Sequence, residues 1–155
     1  MFLEIIAAMV SSAKSRRPIA RNTVDFDAVR RIGLALPGVE ESGAYGVPVL
    51  KVHGKLLACV PRHRSAEPSS LVVRVDFDDR VALLAEAPDV YYVTDHYVEY
   101  NSVLVRLSRI TPDAFRDLLG MAYRFVTRSA ARSESLGTRR RVQRKLIRRG
   151  EGKSY

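Results

Sequence analysis

The stretch that decides the fold is VLKVHGKLLACV, residues 49–60, in which two short apolar runs flank His53-Gly54-Lys55. Apolar runs on both sides of a glycine-containing turn predict a β-hairpin with Gly54 in the turn. Further runs rich in β-forming residues, at 71–75, 90–93 and 102–107, predict three more strands. Hairpins and short connections favour an antiparallel sheet.

Three apolar patterns with helical spacing surround these strands, and each follows a residue whose side chain can cap a helix. Glycines and a proline at 43–48 predict a loop before the hairpin. Together these patterns predict one α+β domain over residues 24–127, with helices packed on a mainly antiparallel sheet of about five strands. The predicted caps are Thr23 or Asp25, then Asp76, and finally Thr111 followed by Pro112.

The net charge of +9 is unevenly distributed along the 155 residues. Residues 24–126 hold 12 basic and 14 acidic side chains, a net charge of −2. Residues 1–23 carry +3 and residues 127–155 carry +8, so all the excess positive charge lies at the two ends. A basic surface favours an anionic partner, and nucleic acid is the simplest one.

The two ends are predicted to lie outside the domain. Residues 1–23 are predicted to form a flexible basic extension, although a cleaved signal and a start assigned too early stay open as alternatives. Residues 128–155 are predicted to form a basic tail in which 129–137 is a linker and Thr138 can cap a helix. Either this tail is solvated, or it orders as a helix on an anionic partner.

No signature of a cofactor, a metal site or a phosphate-binding loop is present in the sequence. The single cysteine, Cys59, excludes an internal disulfide, and no apolar run reaches the ~20 residues needed to span a membrane. A reduced, cytoplasmic protein that is not an enzyme is therefore expected. The densest polar cluster is DHYVEYN at 95–101, where His96 with Asp95 or Glu99 would be the acid–base pair of an alternative, enzymatic site.

Four segments resemble the MmcQ/YjbR-type protein family: LPGVEES at 36–42, YGVPVLKVHGKLLACV at 45–60, VRVDFDDRVALLAEAPDVYYVTDHY at 73–97, and VLVRLSRITPDAFRDLLGMAYR at 103–124. The resemblance covers roughly residues 24–127. It implies a small cytoplasmic bacterial protein with an antiparallel sheet flanked by helices. It also implies DNA binding through a proposed double-wing arrangement of loops, and it implies no catalytic residues.

The expected function is non-enzymatic binding of DNA, and of RNA as an alternative, with low sequence specificity and without a membrane partner. A protein-interaction module and a small-molecule or enzymatic site around His96 and Glu99 stay open as alternatives. His96, Tyr97 and Tyr100 are candidate ligand contacts. The predicted phosphate contacts are basic residues of the hairpin region and of the tail, namely Lys51, Lys55, Arg62, Arg64, Arg139, Arg140, Arg141, Arg144, Lys145, Arg148 and Arg149.

Overall fold

The computed structural model describes residues 23–44 and 47–150, the side chains of 44 and 146–150 excepted. The extension predicted for residues 1–23 therefore lies outside the described residues apart from Thr23. Helices and strands follow one another as α1 (Phe26–Leu34), β1 (Val39–Ala44), β2 (Val47–Val52), β3 (Lys55–Cys59), β4 (Ser70–Arg74), α2 (Phe77–Glu86), β5 (Tyr91–Tyr92), β6 (Ser102–Arg106) and α3 (Pro112–Gly150).

The strands form one open sheet in the order β1-β2-β3-β4-β6-β5, and every neighbouring pair is antiparallel. The predicted α+β class is confirmed. The sheet has six strands rather than about five, because β1 pairs with β2 from Val39 opposite Val52 to Ala44 opposite Val47. The prediction of a loop at 43–48 was wrong: β1 is an edge strand held by main-chain hydrogen bonds, so its sequence needs few apolar residues.

The β2–β3 hairpin turns at His53 and Gly54, whose φ angles are 49° and 73°. Two consecutive residues with positive φ define the type I′ turn, whose twist matches that of antiparallel strands. The predicted hairpin with Gly54 in the turn is therefore confirmed. The register shifts between Leu50 and Lys51, so that an extra residue is accommodated on β3 and Leu57 is fully buried.

The core lies between one face of the sheet and the first half of α3. Cross-strand partners such as Val73 and Val103 share that face, and both are fully buried. The predicted apolar stripe of α3 packs against them, and each large side chain buried there contributes roughly 1.5–3 kcal/mol. The stripe's buried members are Phe115, Leu118, Leu119, Ala122 and Val126.

Local sequence signals fix the starts of the helices. The Asp25 carboxylate accepts a hydrogen bond from the Ala28 amide at 2.8 Å. The Thr111 hydroxyl oxygen accepts one from the Ala114 amide at 3.2 Å, with Pro112 as the first residue of α3. Asp76 precedes α2 as predicted, but its side chain makes no capping hydrogen bond.

Helix α3 continues without interruption to Gly150, so the predicted linker at 129–137 and the predicted cap at Thr138 were wrong. Thr138 lies within the helix, where its hydroxyl donates to the Glu134 carbonyl at 3.0 Å. Apolar burial stops at Val126, and residues 131–145 are all exposed. The change in composition near 128 therefore marks the end of core packing rather than the end of the helix.

Side-chain contacts of Arg106 hold the long β3–β4 loop against the edge of the sheet. Its guanidinium makes two 2.7 Å hydrogen bonds to the Glu67 carboxylate and donates to the Pro88 and Asp89 carbonyls, at 3.2 Å each. It also lies 4.3 Å from the centre of the Tyr92 ring, and the Tyr92 hydroxyl accepts from the Glu67 amide at 2.8 Å. Paired forks of this kind favour the ionised carboxylate.

The Arg106–Glu67 pair predicts a specific pH dependence of stability. The hydrogen bond from Arg106 lowers the pKa of Glu67, so the pair stabilises the fold above the ordinary glutamate pKa of about 4.3 and is lost as pH falls through the lowered value. Glu67→Gln should therefore lower the urea midpoint at pH 7, and the difference from the unmodified protein should shrink progressively as pH falls below about 4.3. Glu40→Gln, at an exposed carboxylate with no ion pair in the described residues, is the control. An equal Glu67→Gln effect at every pH would contradict the assignment.

Candidate functional site

The second half of α3, residues 128–150, is rich in basic residues, and we call it the cationic helix. Its residues 131–145 are all exposed. Glu134 is the only acidic residue in this range. Residues 131–150 extend about 30 Å at 1.5 Å per residue. Arg148 and Arg149 belong to its last turns, and their side chains lie outside the described part. The other predicted tail contacts are all exposed on this helix, namely Arg139, Arg140, Arg141, Arg144 and Lys145.

Helical geometry distributes these charges around the helix. At 100° per residue, Arg128, Arg132 and Arg139 fall within about 40° of one another, whereas positions 140–145 cover the remaining circumference. Arg140 and Arg144 lie four residues apart, and so do Arg141 and Lys145. Each such pair of like charges destabilises a helix by roughly 0.2–0.5 kcal/mol. A polyanion would relieve this repulsion.

The predicted hairpin cations do not form one surface. Lys55 is exposed beside the turn and lines a cleft with Ser129 and Ser133 of α3, so it lies next to the cationic helix. Lys51 is half-buried on β2. Arg62 and Arg64 are exposed in the β3–β4 loop, and Arg62 lines a different cavity.

That cavity, of about 400 Å³, lies on the sheet face opposite the buried core, and at Leu56 and Arg74 it borders the cleft beside α3. Its position follows from the register: Val49 pairs with Cys59, Cys59 with Val72, and Arg74 with Ser102. Paired residues project to the same side, and these alternate with the buried residues that face the helix. All five line the cavity, so its floor is mainly apolar.

The other wall of the cavity is the β5–β6 connection, which contributes His96, Tyr97 and Tyr100. The three predicted ligand contacts are thus brought together. His96 stacks on His63, with ring centres 3.8 Å apart and planes 4° from parallel. Tyr97 meets the His96 ring edge-on at 4.7 Å. The sequence gives no signal for this stacking, because His63 and His96 lie 33 positions apart in two different loops.

The two loops are joined by a short hydrogen-bonded chain. The Ser65 amide donates to His63 Nδ1 at 3.2 Å, which places the ring proton on Nε2. The Ser65 hydroxyl lies 2.7 Å from the same nitrogen and 2.9 Å from the Thr94 hydroxyl. In the described part of the chain, neither Asp95 nor Glu99 hydrogen-bonds to His96, and Glu99 does not line the cavity.

Two polar side chains in the cavity have altered acidities. Burial raises the pKa of the Cys59 thiol, and the nearby Arg62 charge partly opposes this effect. Burial lowers the pKa of the half-buried Arg74 guanidinium, which lies 5.8 Å from the centre of the Phe125 ring. Among the described residues, no carboxylate forms an ion pair with Arg74.

Arg80 of α2 holds the β5–β6 connection in place. It is 9% exposed, and its guanidinium donates to the carbonyls of Val98 and Tyr100 at 2.9 Å and of Ser102 at 3.3 Å. The apolar pattern of α2 did not predict this role: the apolar Val81 is 66% exposed, whereas the charged Arg80 is buried. The available signal was the helical spacing that puts Arg80 on the face of Leu83 and Leu84.

No group of three or more His, Cys, Asp or Glu side chains is arranged to hold a metal ion within 23–44 and 47–150. In the same part of the chain, none of the helices combines the length and the apolar character that a bilayer span requires.

The sequence model of the YjbR family matches residues 34–125, and the chain therefore belongs to the YjbR family. The fold resembles the crystal structure of Deinococcus radiodurans protein DR2400, which carries the domain DUF419, with a TM-score of 0.58. The two share 21% identity over 75% of this chain and 90% of that one, so the likeness concerns the fold. No curated protein matches the chain. The family match ends before the cationic helix begins.

The contacts of Arg80 predict that it positions the loop that carries the aromatic wall. Arg80→Met keeps the apolar stem but removes the donors to three carbonyls, so the free energy of unfolding should fall by about 1–3 kcal/mol. Amide hydrogen exchange should accelerate at residues 97–102. Arg116→Met, at an exposed position of α3, is the matched control and should change stability by about 0.5 kcal/mol or less. Unchanged exchange at 97–102 in Arg80→Met would refute this role.

Proposed function

We propose that this protein binds nucleic acid, with duplex DNA as the main partner, through phosphate contacts made by the cationic helix. The observation that carries the proposal is a continuous helix whose residues 131–145 are all exposed and which holds five basic side chains from 139 to 145. Arginine and lysine at such density suit a polyanion, because each phosphate neutralised releases counterions. The protein would act in the cytoplasm, where nucleic acid is accessible.

Charge placement supports binding of low sequence specificity. The cations surround the helix instead of forming one face, which favours phosphate contacts over reading of base edges. Lys55 lies beside the start of the cationic helix and would add a phosphate contact there. Lys51, Arg62 and Arg64 are more remote, and they would orient the domain on a long duplex at most.

A protein-docking role for the same helix has weaker support. A helix that docks in a groove presents apolar side chains in a stripe. The exposed apolar residues of the described part of this helix are Leu136 and Val142, which are 59% and 54% exposed. Six positions separate them, so these two lie about 120° apart around the helix. In the sequence, Val142 and Leu146 are four positions apart, which gives a narrow apolar stripe.

We also propose that the protein is not an enzyme. His96 has no carboxylate partner in the described residues, and the only thiol, Cys59, has a raised pKa, which disfavours the reactive thiolate. Nucleic-acid binding needs neither group.

The test compares two full-length variants of equal net charge. The first changes Arg140, Arg141, Arg144 and Lys145 to Gln, and the control changes four exposed basic residues of the domain to Gln. Each lost phosphate contact should lower the slope of log affinity against log salt by about 0.9 on duplex DNA, so the helix variant should lose roughly three to four units of slope. The control residues are Arg31, Arg109, Arg116 and Arg124.

Equal salt slopes for the two variants would show that net charge, and not the helix, governs binding. An unchanged slope in the helix variant would overturn the proposal. Repeating the titration with single-stranded DNA and with double-stranded RNA identifies the preferred form of nucleic acid. Circular dichroism establishes that each variant keeps its helix content.

A further inference from the structure

We propose that the cavity beneath the β5–β6 connection binds a small organic anion, a compact apolar or aromatic body that carries one carboxylate. This site goes beyond nucleic-acid binding, because its lining includes no residue of the cationic helix. Its volume of about 400 Å³ is within the range of roughly 300–1,000 Å³ that small-molecule sites occupy.

The cavity offers a guanidinium whose hydrogen-bonding capacity is unused. Arg74 lies at the border between the cavity and the cleft beside α3, with its guanidinium carbon 5.8 Å from the centre of the Phe125 ring. It makes no ion pair or side-chain hydrogen bond among the described residues. Two other arginines of the same sheet region differ: Arg80 donates to three carbonyls and Arg106 to Glu67. A half-buried guanidinium without such partners is a ready site for an anion, because its planar fork matches a carboxylate.

The residues around Arg74 indicate which kind of ligand body the cavity would accept. Val49, Val72 and Leu56 form an apolar surface that suits a hydrocarbon or aromatic body. Tyr97 and Tyr100 provide aromatic surface on the opposite wall, and Tyr100 is 54% exposed without a ligand. Arg62, the other guanidinium of the lining, is exposed, whereas Arg74 is half-buried. Burying one negative charge beside Arg74 costs less than burying two, which favours a monocarboxylate over a doubly charged phosphate.

Contacts within the protein hold the backbone of the aromatic wall. Arg80 donates hydrogen bonds to the carbonyls of 98, 100 and 102. The stacked rings of His63 and His96 join this wall to the β3–β4 loop. A wall that is already ordered costs less entropy on binding. The cavity therefore has the preformed character of a binding site.

Cys59 provides a built-in reporter, because it is the only cysteine of the chain and lines the cavity. The rate of its alkylation by iodoacetamide is measured at one fixed pH in the full-length protein. The probes are 3-phenylpropionate and octanoate, and the matched uncharged controls are 3-phenylpropionamide and octanamide. At least one carboxylate should slow alkylation saturably, at concentrations about tenfold or more below its amide.

Substitution of Arg74 separates charge recognition from simple occupancy. Arg74→Gln should raise the concentration of carboxylate needed for half protection on the order of tenfold to a hundredfold and leave that of the amide unchanged. Arg74→Lys should retain part of the preference, and Arg116→Gln should behave like the unmodified protein. Tyr100→Ala, at an exposed position, should weaken both the carboxylate and the amide.

Several results would overturn the proposal. These are equal protection by carboxylate and amide, an Arg74→Gln variant that keeps the preference, or no protection by any probe at millimolar concentration. Protection that grows with protein concentration without a probe would assign the cavity to a second copy of the chain instead. Should Arg74→Gln fail to fold, Arg74→Lys and Tyr100→Ala still decide the matter, because a site without charge or aromatic contacts would respond to neither.

Discussion

Burial of one sheet face beneath the first half of α3 is the constraint on which the other features depend. Phe115, Leu118 and Leu119 are almost wholly excluded from solvent there, and their partners in the sheet must all project to the same side. Strand alternation then sends Cys59 and Val72 to the opposite side, where loops rather than α3 provide the cover. The same packing fixes the axis of α3, so the residues after Val126 continue beyond the core as an exposed helix.

Arginine side chains order the loops that this arrangement leaves over the second face. Arg80 does so through backbone carbonyls, and Arg106 does so through Glu67 and two further carbonyls. Five donors in a rigid plane allow one residue to hold several acceptors at once. The acidic domain thus uses part of its positive charge internally, which leaves the cationic helix with most of the accessible charge.

Local sequence patterns predicted the features that depend on neighbouring residues. They did not predict the features that depend on contacts between distant parts of the chain. The Asp25 and Thr111 caps and the Gly54 turn were predicted, because each depends on residues within a few positions. Strand β1 was missed because its pairing is carried by the main chain. The contacts of Arg80 and Glu67 were missed because their partners lie 18–39 positions away along the chain. The cavity was predicted only as a cluster at 95–101, since its floor depends on register and on the bulge between Leu50 and Lys51.

The continuity of α3 changes how its exposed half comes to be helical. An isolated segment of this length and charge would have to form its first turn unaided, which is the costly step of helix formation. Here the turns buried up to Val126 supply a completed nucleus, and each later residue only extends it. Loss of helix therefore proceeds by fraying from the free end, so amide protection declines steadily from Val126 towards Gly150 and the length of ordered helix varies with temperature and salt.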